Sequence, residues 1–453
     1  MKKFAILALA AVMVIALTVP AAALENEFGG YWRTRMYTEG HFNGEKNDDT
    51  NNRLVDTRTR LYYTAKINDN LKLVNKFEMD AVWGSGTGSR NGRSAAVDGT
   101  GTPIVTSGNN RSYGEVGADG AAVEVKNSYA DFNVGPVNLT VGVQPYSLFR
   151  DFHISDDGSG IIGRWKVLDN FVLAGSWLKV AEGGDGTGNN EDVDAYTLTG
   201  AFWFSENMSI KPSVSYARSS EAPVVVGTAL LNSAGGAGAS VAAAPFGEAE
   251  VYTFGADFDA SFDAFGIWAT AYMQSGDVET ANGDVDFNGW LAAVGGNVAL
   301  GPVDLHSQFF YSPGDDDAND KDIDNIWSPT ASYYWAEIMG YGTFDNNLPN
   351  GSPGDKIFNI WAVNLGTSFK PMDKLSVDVD LWYAERDEDI VFANGAKETE
   401  LGTELDVKVR YQLVEGLNLD LIGAYLWAGD AVSDDGKNDE NPYEFGAQLS
   451  LSF

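Results

Sequence analysis

Charged side chains of one sign recur at every second residue of this chain. Arg33 and Arg35 alternate with Trp32, Thr34 and Met36, and Arg58 and Arg60 alternate with Thr57, Thr59 and Leu61. Lys72 and Lys76 follow on the next segment. Carboxylates fall at inward positions under the same alternation further on: Asp257, Asp259, Asp378, Asp380, Glu404, Asp406, Asp420 and Glu444. Groups fixed this way act by field, holding ions and orienting dipolar solutes between walls of opposite charge. The basic set predicts one wall and the acidic set the wall facing it. The plainer alternative is that the basic groups are ordinary charges paired with Asp56, Glu78 and Asp80.

Covalent chemistry finds little support. His41, His153 and His306 have no Ser/acid set or metal-ligand spacing around them, and cysteine is absent. That excludes thiolate metal sites, Cys nucleophiles, a disulfide scaffold and c-type haem attachment. The Asp315–Asp320 run invites a calcium reading, but an EF-hand needs Gly at Asp320 and Glu at Ile326. A solvated acidic loop is the better reading there, as it is around Asp434 and Asp435. The residues predict no enzyme, no cofactor and no metal. A formal net charge of −34 argues against nucleic acid, whose backbone demands Lys and Arg.

The element that positions alternating charges is the β-strand, whose side chains point to opposite faces in turn. In 71–83, Leu71, Leu73, Phe77, Met79, Ala81 and Trp83 share a face opposite Lys72, Lys76, Glu78 and Asp80. In 401–411, Leu401, Thr403, Leu405, Val407, Val409 and Tyr411 oppose Gly402, Glu404, Asp406, Lys408 and Arg410. The chain ends on the same pattern, with Phe445, Ala447, Leu449, Leu451 and Phe453 on one parity. A soluble sandwich also alternates. It does not account for the remaining features.

Residues 1–23 read as a secretory signal: Lys2 and Lys3, an apolar run from Phe4 to Val19, a break at Pro20, and Ala21-Ala22-Ala23 for cleavage. After it no run approaches the roughly 20 apolar residues of a spanning helix. Short turns are expected at 68–70, 135–136, 168–170, 205–207, 261–264, 301–302, 371–373 and 414–416. Long polar stretches alternate with them, roughly at 39–51, 84–120, 145–159, 181–191, 219–248, 275–286, 312–355, 386–397 and 429–441. These connections join eighteen strands, with sixteen as the alternative if the hairpin near Leu168 fails. The segment 24–453 is then one all-β domain, an antiparallel transmembrane barrel with short turns at one end and long loops at the other.

Among the long connections, 145–159 is the first choice to fold inward, with Arg150, Asp151, His153, Asp156 and Asp157. The 84–120 stretch, with Arg90, Arg93 and Arg111, is second. The longest, 312–355, carries Tyr333, Tyr334 and Trp335. Trp83, Trp177, Trp203, Trp290, Trp361, Trp382 and Trp427 fall near strand ends, where interfacial girdles belong. Low-complexity 229–247 reads as a flexible loop.

The signal segment, the terminal Leu451-Ser452-Phe453, the Arg-bearing strands YWRTRMY and DTRTRLYY, and Asn138–Tyr146 (NLTVGVQPY, with its G-x-Q stretch) carry a resemblance. In these the chain resembles Gram-negative outer-membrane porins. The resemblance implies a water-filled diffusion channel in the bacterial outer membrane for small hydrophilic solutes and ions. It implies a homotrimer, contact with outer-membrane lipid and lipopolysaccharide, and assembly by the barrel-insertion machinery through a strand ending in Phe453. Two alternatives are a channel specific for a sugar, phosphate or organic acid, and a barrel that sheathes a partner or serves as a receptor.

Overall fold

The computed structural model of the protein describes residues 24–46, 51–84, 123–182, 192–219, 247–279, 283–316, 321–330, 333–344, 352–354, 356–392, 394–433 and 435–453. The signal segment, Arg90, Arg93, Arg111, nearly all of 229–247, Asp317 to Asp320 and Asp434 lie outside these residues.

The alternating segments form strands β1 (Glu25–Gly40), β2 (Asn52–Asn68), β3 (Leu71–Val82), β4 (Glu124–Val134), β5 (Val137–Leu148), β6 (Ile154–Leu168) and β7 (Phe171–Ala181). Next come β8 (Val193–Ser205), β9 (Met208–Ser219), β10 (Ala249–Ser261), β11 (Phe265–Val278), β12 (Val285–Phe287), β13 (Trp290–Leu300) and β14 (Val303–Ser312). The last are β15 (Asp322–Ile323), β16 (Ile360–Met372), β17 (Leu375–Val391), β18 (Lys397–Val414), β19 (Leu417–Ala428) and β20 (Tyr443–Ser452). β12 and β15 are short and pair in parallel with each other. The other eighteen make the wall, each antiparallel to the next.

The circuit closes where β20 runs antiparallel to β1, from Tyr31 opposite Ser452 to Gly40 opposite Tyr443. At the end of this seam Gly30 N donates to Phe453 O at 2.9 Å, and Phe453 N donates back to Gly30 O at 3.2 Å. The Phe453 ring covers Gly30, where any Cβ would collide with it. All eight expected short turns are present, including Asp169-Asn170 between β6 and β7, so the wall has eighteen strands and not sixteen. The expected 145–159 loop is a correction. β5 and β6 extend into it and leave only a turn at 149–153, which places Asp156 and Asp157 on β6.

Burial follows the alternation. On β1, Arg35 and Glu39 are fully buried, while Met36 between them is 62% exposed. Leu61, Leu73, Ile161, Leu198, Ile267, Leu365 and Leu421 are likewise exposed on the outer face. Each such side chain gains about 1.5–3 kcal/mol on leaving water, so this outer face fits a hydrocarbon surrounding. Trp83, Trp177, Trp203, Trp290 and Trp427 are exposed, as a girdle requires. Trp382 departs from that expectation: it is buried and points into the barrel, because its register partners on β16 and β18 are the inward Asn364 and Glu404.

Leu365 lies near the middle of β16 on the outer face. Leu365→Arg should cost about 2–4 kcal/mol, the price of a cation at the bilayer midplane, in denaturant unfolding from lipid vesicles. A cost below about 1 kcal/mol would place that face in water.

Candidate functional site

The strand register decides what the inward charges do. Arg35 on β1 faces Asp56 on β2, and Arg58 and Arg60 on β2 face Asp80 and Glu78 on β3. The Arg35 guanidinium donates through Nε and Nη2 to the two Asp56 oxygens at 3.0 and 2.5 Å. Arg58 grips Asp80 the same way at 2.8 and 2.6 Å and reaches Glu78 at 2.9 Å, while Arg60 binds Glu78. Lys72 pairs with Asp131 of β4 at 3.1 Å, and the Lys76 ammonium stands 5.5 Å from the centre of the Tyr62 ring. Arg33 lies directly across from Arg58. The basic wall is thus largely a ladder of ion pairs, two-toothed at Arg35 and Arg58, and its partners include Asp56, Glu78 and Asp80, as the plainer reading expects.

The acidic set does not face this ladder as a unit. Closure puts β17–β20 beside β1, so Asp378, Asp380, Glu404, Asp406, Asp420 and Glu444 adjoin the arginines, and only Asp257 and Asp259 on β10 stand well round the barrel. Most of these carboxylates are occupied. Arg410 donates to both oxygens of Asp420 at 2.7 and 2.8 Å. Asp380 binds His306 at 2.8 Å and accepts from Asn364 at 2.6 Å. Ser368 donates to Asp378 at 2.5 Å, and Thr270 to Asp257 at 2.7 Å.

Two connections fold inward. The first is the turn 149–153. Phe149, Arg150 and Asp151 all have positive φ, of 53°, 52° and 69°. Packing holds this costly backbone in place. Phe149 stacks on Tyr272 at 5.0 Å and Phe152 on Tyr333 at 4.1 Å. Tyr272 Oη donates to Phe152 O at 3.1 Å, and Ser328 Oγ donates to His153 O at 2.6 Å. Arg150 reaches Asp259 at 2.5 Å, its guanidinium 4.7 Å from the Trp268 ring centre. Asp151 stays exposed and accepts from Ser147 at 2.5 Å. Asp157 pairs with Lys126 at 2.7 Å. Asp156 is exposed.

The second comprises 321–330 and 333–344, parts of the longest connection. The Gln274 side chain clamps the Trp327 backbone, accepting from its N at 2.7 Å and donating to its O at 2.8 Å. Trp335 wedges edge-on against Phe310 and Trp382 at 5.3 and 5.1 Å. Glu404 accepts from the backbone N of Ile338 and Met339 at 2.6 and 2.8 Å, and Asp406 from that of Glu337 at 3.3 Å. Arg35 donates to Thr343 O at 2.6 Å. Phe344 stacks on Tyr37 at 4.6 Å and fills the space left by Gly446, where a Cβ would meet its ring at 2.5 Å. With Ile338, Met339 and Ile360, these residues build an apolar core inside the barrel. Glu444 lies beneath, buried, with neither carboxylate oxygen bonded among the described residues.

The β5–β9 side carries a different lining. Thr197 and Ser215 bond each other at 3.0 Å, and Thr199 and Ser213 at 2.8 Å. A cavity of about 340 Å³ lies here, bounded by Tyr146, Arg164, Ser176, Thr197 and Thr199. Sequence reasoning missed this hydroxyl face and Glu337, whose side chain accepts from Thr343 N at 2.6 Å and from Tyr334 Oη at 2.8 Å. The run Trp335–Met339, apolar within a Gly- and Asp-rich loop, is the signal that could have marked the inward segment.

In solved structures the same fold recurs. OccAB4 of Acinetobacter baumannii aligns with a TM-score of 0.55 at 10% identity, over 96% of this chain and 100% of that one. A BenF-like porin of Pseudomonas fluorescens Pf-5 gives 0.55 at 10%, over 95% and 99%. OpdK of Pseudomonas aeruginosa, solved with vanillate, gives 0.54 at 10%, over 94% and 98%. No family model and no curated protein matches the sequence. The fold is that of Gram-negative outer-membrane porins, with eighteen wall strands.

Two outcomes test the inward segments. Glu404→Ala strips the acceptor from two buried N–H groups, each worth about 1–3 kcal/mol, and should expose 333–344 to protease while the barrel stays folded. Protection equal to wild type would show that Glu404 does not anchor it. The second concerns His153, whose burial holds its pKa down to about 4 from 6.5, offset in part by its hydrogen bond with the Trp327 backbone. The opened turn binds the proton more readily, so the closed turn loses stability as pH falls from 6.5 through about 4. The protection factor at 149–153, exchange referred to its intrinsic rate at each pH, should fall over that range, and His153→Phe should flatten the profile.

Proposed function

We propose that this protein is a passive channel of the bacterial outer membrane, for small hydrophilic solutes and ions. One observation carries the reading: a closed eighteen-stranded wall is apolar outside, and charged or hydroxyl-bearing inside. Hydrogen-bonded closure is the only way strands cross hydrocarbon without orphaned backbone groups. A barrel of this size leaves room for an aqueous path, and the inward segments narrow it. Long connections are then extracellular and short turns periplasmic. The reading gives the chain no catalytic role. It assigns Phe453 to recognition by the barrel-assembly machinery, and a homotrimer is its expected assembly.

Because Arg35, Arg58 and Arg60 each already hold a carboxylate, the inner face retains no broad anion-attracting wall. Purified protein in a planar bilayer should give discrete conductance steps, with a reversal potential in a salt gradient that favours cations. Replacing Arg58 and Arg60 together with Gln frees Glu78 and Asp80 and should push that potential further toward cations. An unmoved potential removes these residues from the conduction path, and a folded protein without conductance overturns the channel reading. A solute-specific channel is the second reading, favoured by the walled cavity at Arg164, Ser176 and Thr197. Its mark is current that a solute blocks saturably.

A further inference from the structure

Two cavities of the interior meet at one side chain. The larger, of about 340 Å³, lies toward the short-turn end and is bounded by Arg164, Ser176, Thr197 and Thr199. The smaller, of about 170 Å³, lies toward the long-connection end and is bounded by Asp156, Lys179, Pro329 and Thr330. Tyr146 and Ile154 line both. Tyr146 does not stand across the junction. Its hydroxyl donates to Trp177 O at 3.1 Å, so the side chain reaches from β5 over β6 to β7. Two glycines of β6 make that possible. A Cβ at Gly160 would collide with the Tyr146 hydroxyl, and one at Gly158 would meet its ring at 3.4 Å. The ring is thereby held along the wall.

We propose that solutes cross the barrel along this side, from the Asp156 end to the Arg164 end, and that Tyr146 sets the width of the passage. The proposal rests on the channel reading and adds a route to it. Elsewhere the interior is occupied. The core around Trp335, Ile338 and Met339 packs against β14, β16, β17, β18 and β19. Phe344 fills the space between Tyr37 of β1 and Gly446 of β20. In the middle of β7, β8 and β9 the inward residues are small: Ala174, Ser176, Thr197, Thr199, Ser213 and Ser215. Space remains there that bulky side chains take up on the other strands. The hydroxyls both donate and accept, so they exchange hydrogen bonds with a small hydroxylated solute as they do with water. A side chain tethered flat beside this space is the one group placed to widen or narrow it.

The chain has no cysteine, so single cysteines report on access. The full protein carrying Thr199→Cys should lose most of its bilayer current when a trimethylammonium-ethyl methanethiosulfonate is added, with the adduct present by mass spectrometry. Ala424→Cys, inward on β19 but buried in the core, should neither react nor lose current. Tyr146→Ala joins the two cavities and should raise the unitary conductance, and Tyr146→Trp should lower it. Labelled Thr199→Cys with its current intact puts the route elsewhere and overturns the proposal. So does Thr199→Cys that conducts yet stays unlabelled, or Tyr146→Ala with the conductance of wild type. Folded wild type that conducts nothing is a separate result, which overturns the channel reading itself.

Discussion

The constraint on which everything else depends is hydrogen-bond closure of the backbone. Each strand of this wall presents N–H and C=O groups on both edges, and in hydrocarbon an unpaired edge costs several kcal/mol per group. No intermediate sheet is tolerable in that solvent, so the β1–β20 seam is the step that makes the other pairings permissible. The last residue takes part directly. Phe453 exchanges two backbone bonds with Gly30 and lays its ring over it. Only glycine there lets an aromatic side chain lie against the backbone at the end of the seam.

Closure in turn creates the interior problem. Eighteen strands enclose more space than their own side chains fill, and the chain meets this with its connections. The 149–153 turn and the 333–344 segment carry Phe152, Trp335, Ile338 and Met339 inward, against Phe310 and Trp382 of the wall. A segment buried in this way brings its backbone polar groups with it, and these need partners. Wall carboxylates supply them: Glu404 takes two amides and Asp406 a third. The inward acids of β18 therefore act first as anchors for backbone. The hydroxyl face of β5–β9 has no such duty, and the cavity opens beside it.

Strand number, the eight tight turns and closure of the barrel were legible in the sequence, because they follow from period-2 alternation and turn chemistry. Partnership was not, because it depends on register between strands. Arg58 and Asp80 are 22 residues apart and become cross-strand neighbours only once the β2–β3 turn sets the pairing. The opposition expected of basic and acidic walls failed for a topological reason. A linear chain places β20 far from β1, and a closed one makes them adjacent. Trp382 was misplaced because period 2 gives two faces but not which one is wet, and an indole suits an inner core as well as a girdle. The length of the 145–159 connection was overestimated because Asp156, Asp157 and Gly158 look like loop residues, although strand positions at the rim tolerate polarity on either face.

The interior charge pattern has a physical consequence that pairing alone determines. A guanidinium that holds a carboxylate in a two-toothed grip projects mainly a dipole, and its field falls faster with distance than that of a free cation. Arg35, buried with Asp56 and tied to Thr343 O, is further committed to holding the inward segment. The ladder thus stiffens the β1–β3 wall and seats the constriction, and it has little charge left with which to draw anions from bulk water. On the proposed channel reading, selectivity would then fall to shape, to hydroxyls, and to the groups not held in such pairs. Arg164 is one of these: it donates to Thr140 Oγ1 at 3.4 Å and borders the cavity. A solute moving along that side meets one cation set among neutral donors and acceptors, a surface suited to small polar molecules at least as well as to ions.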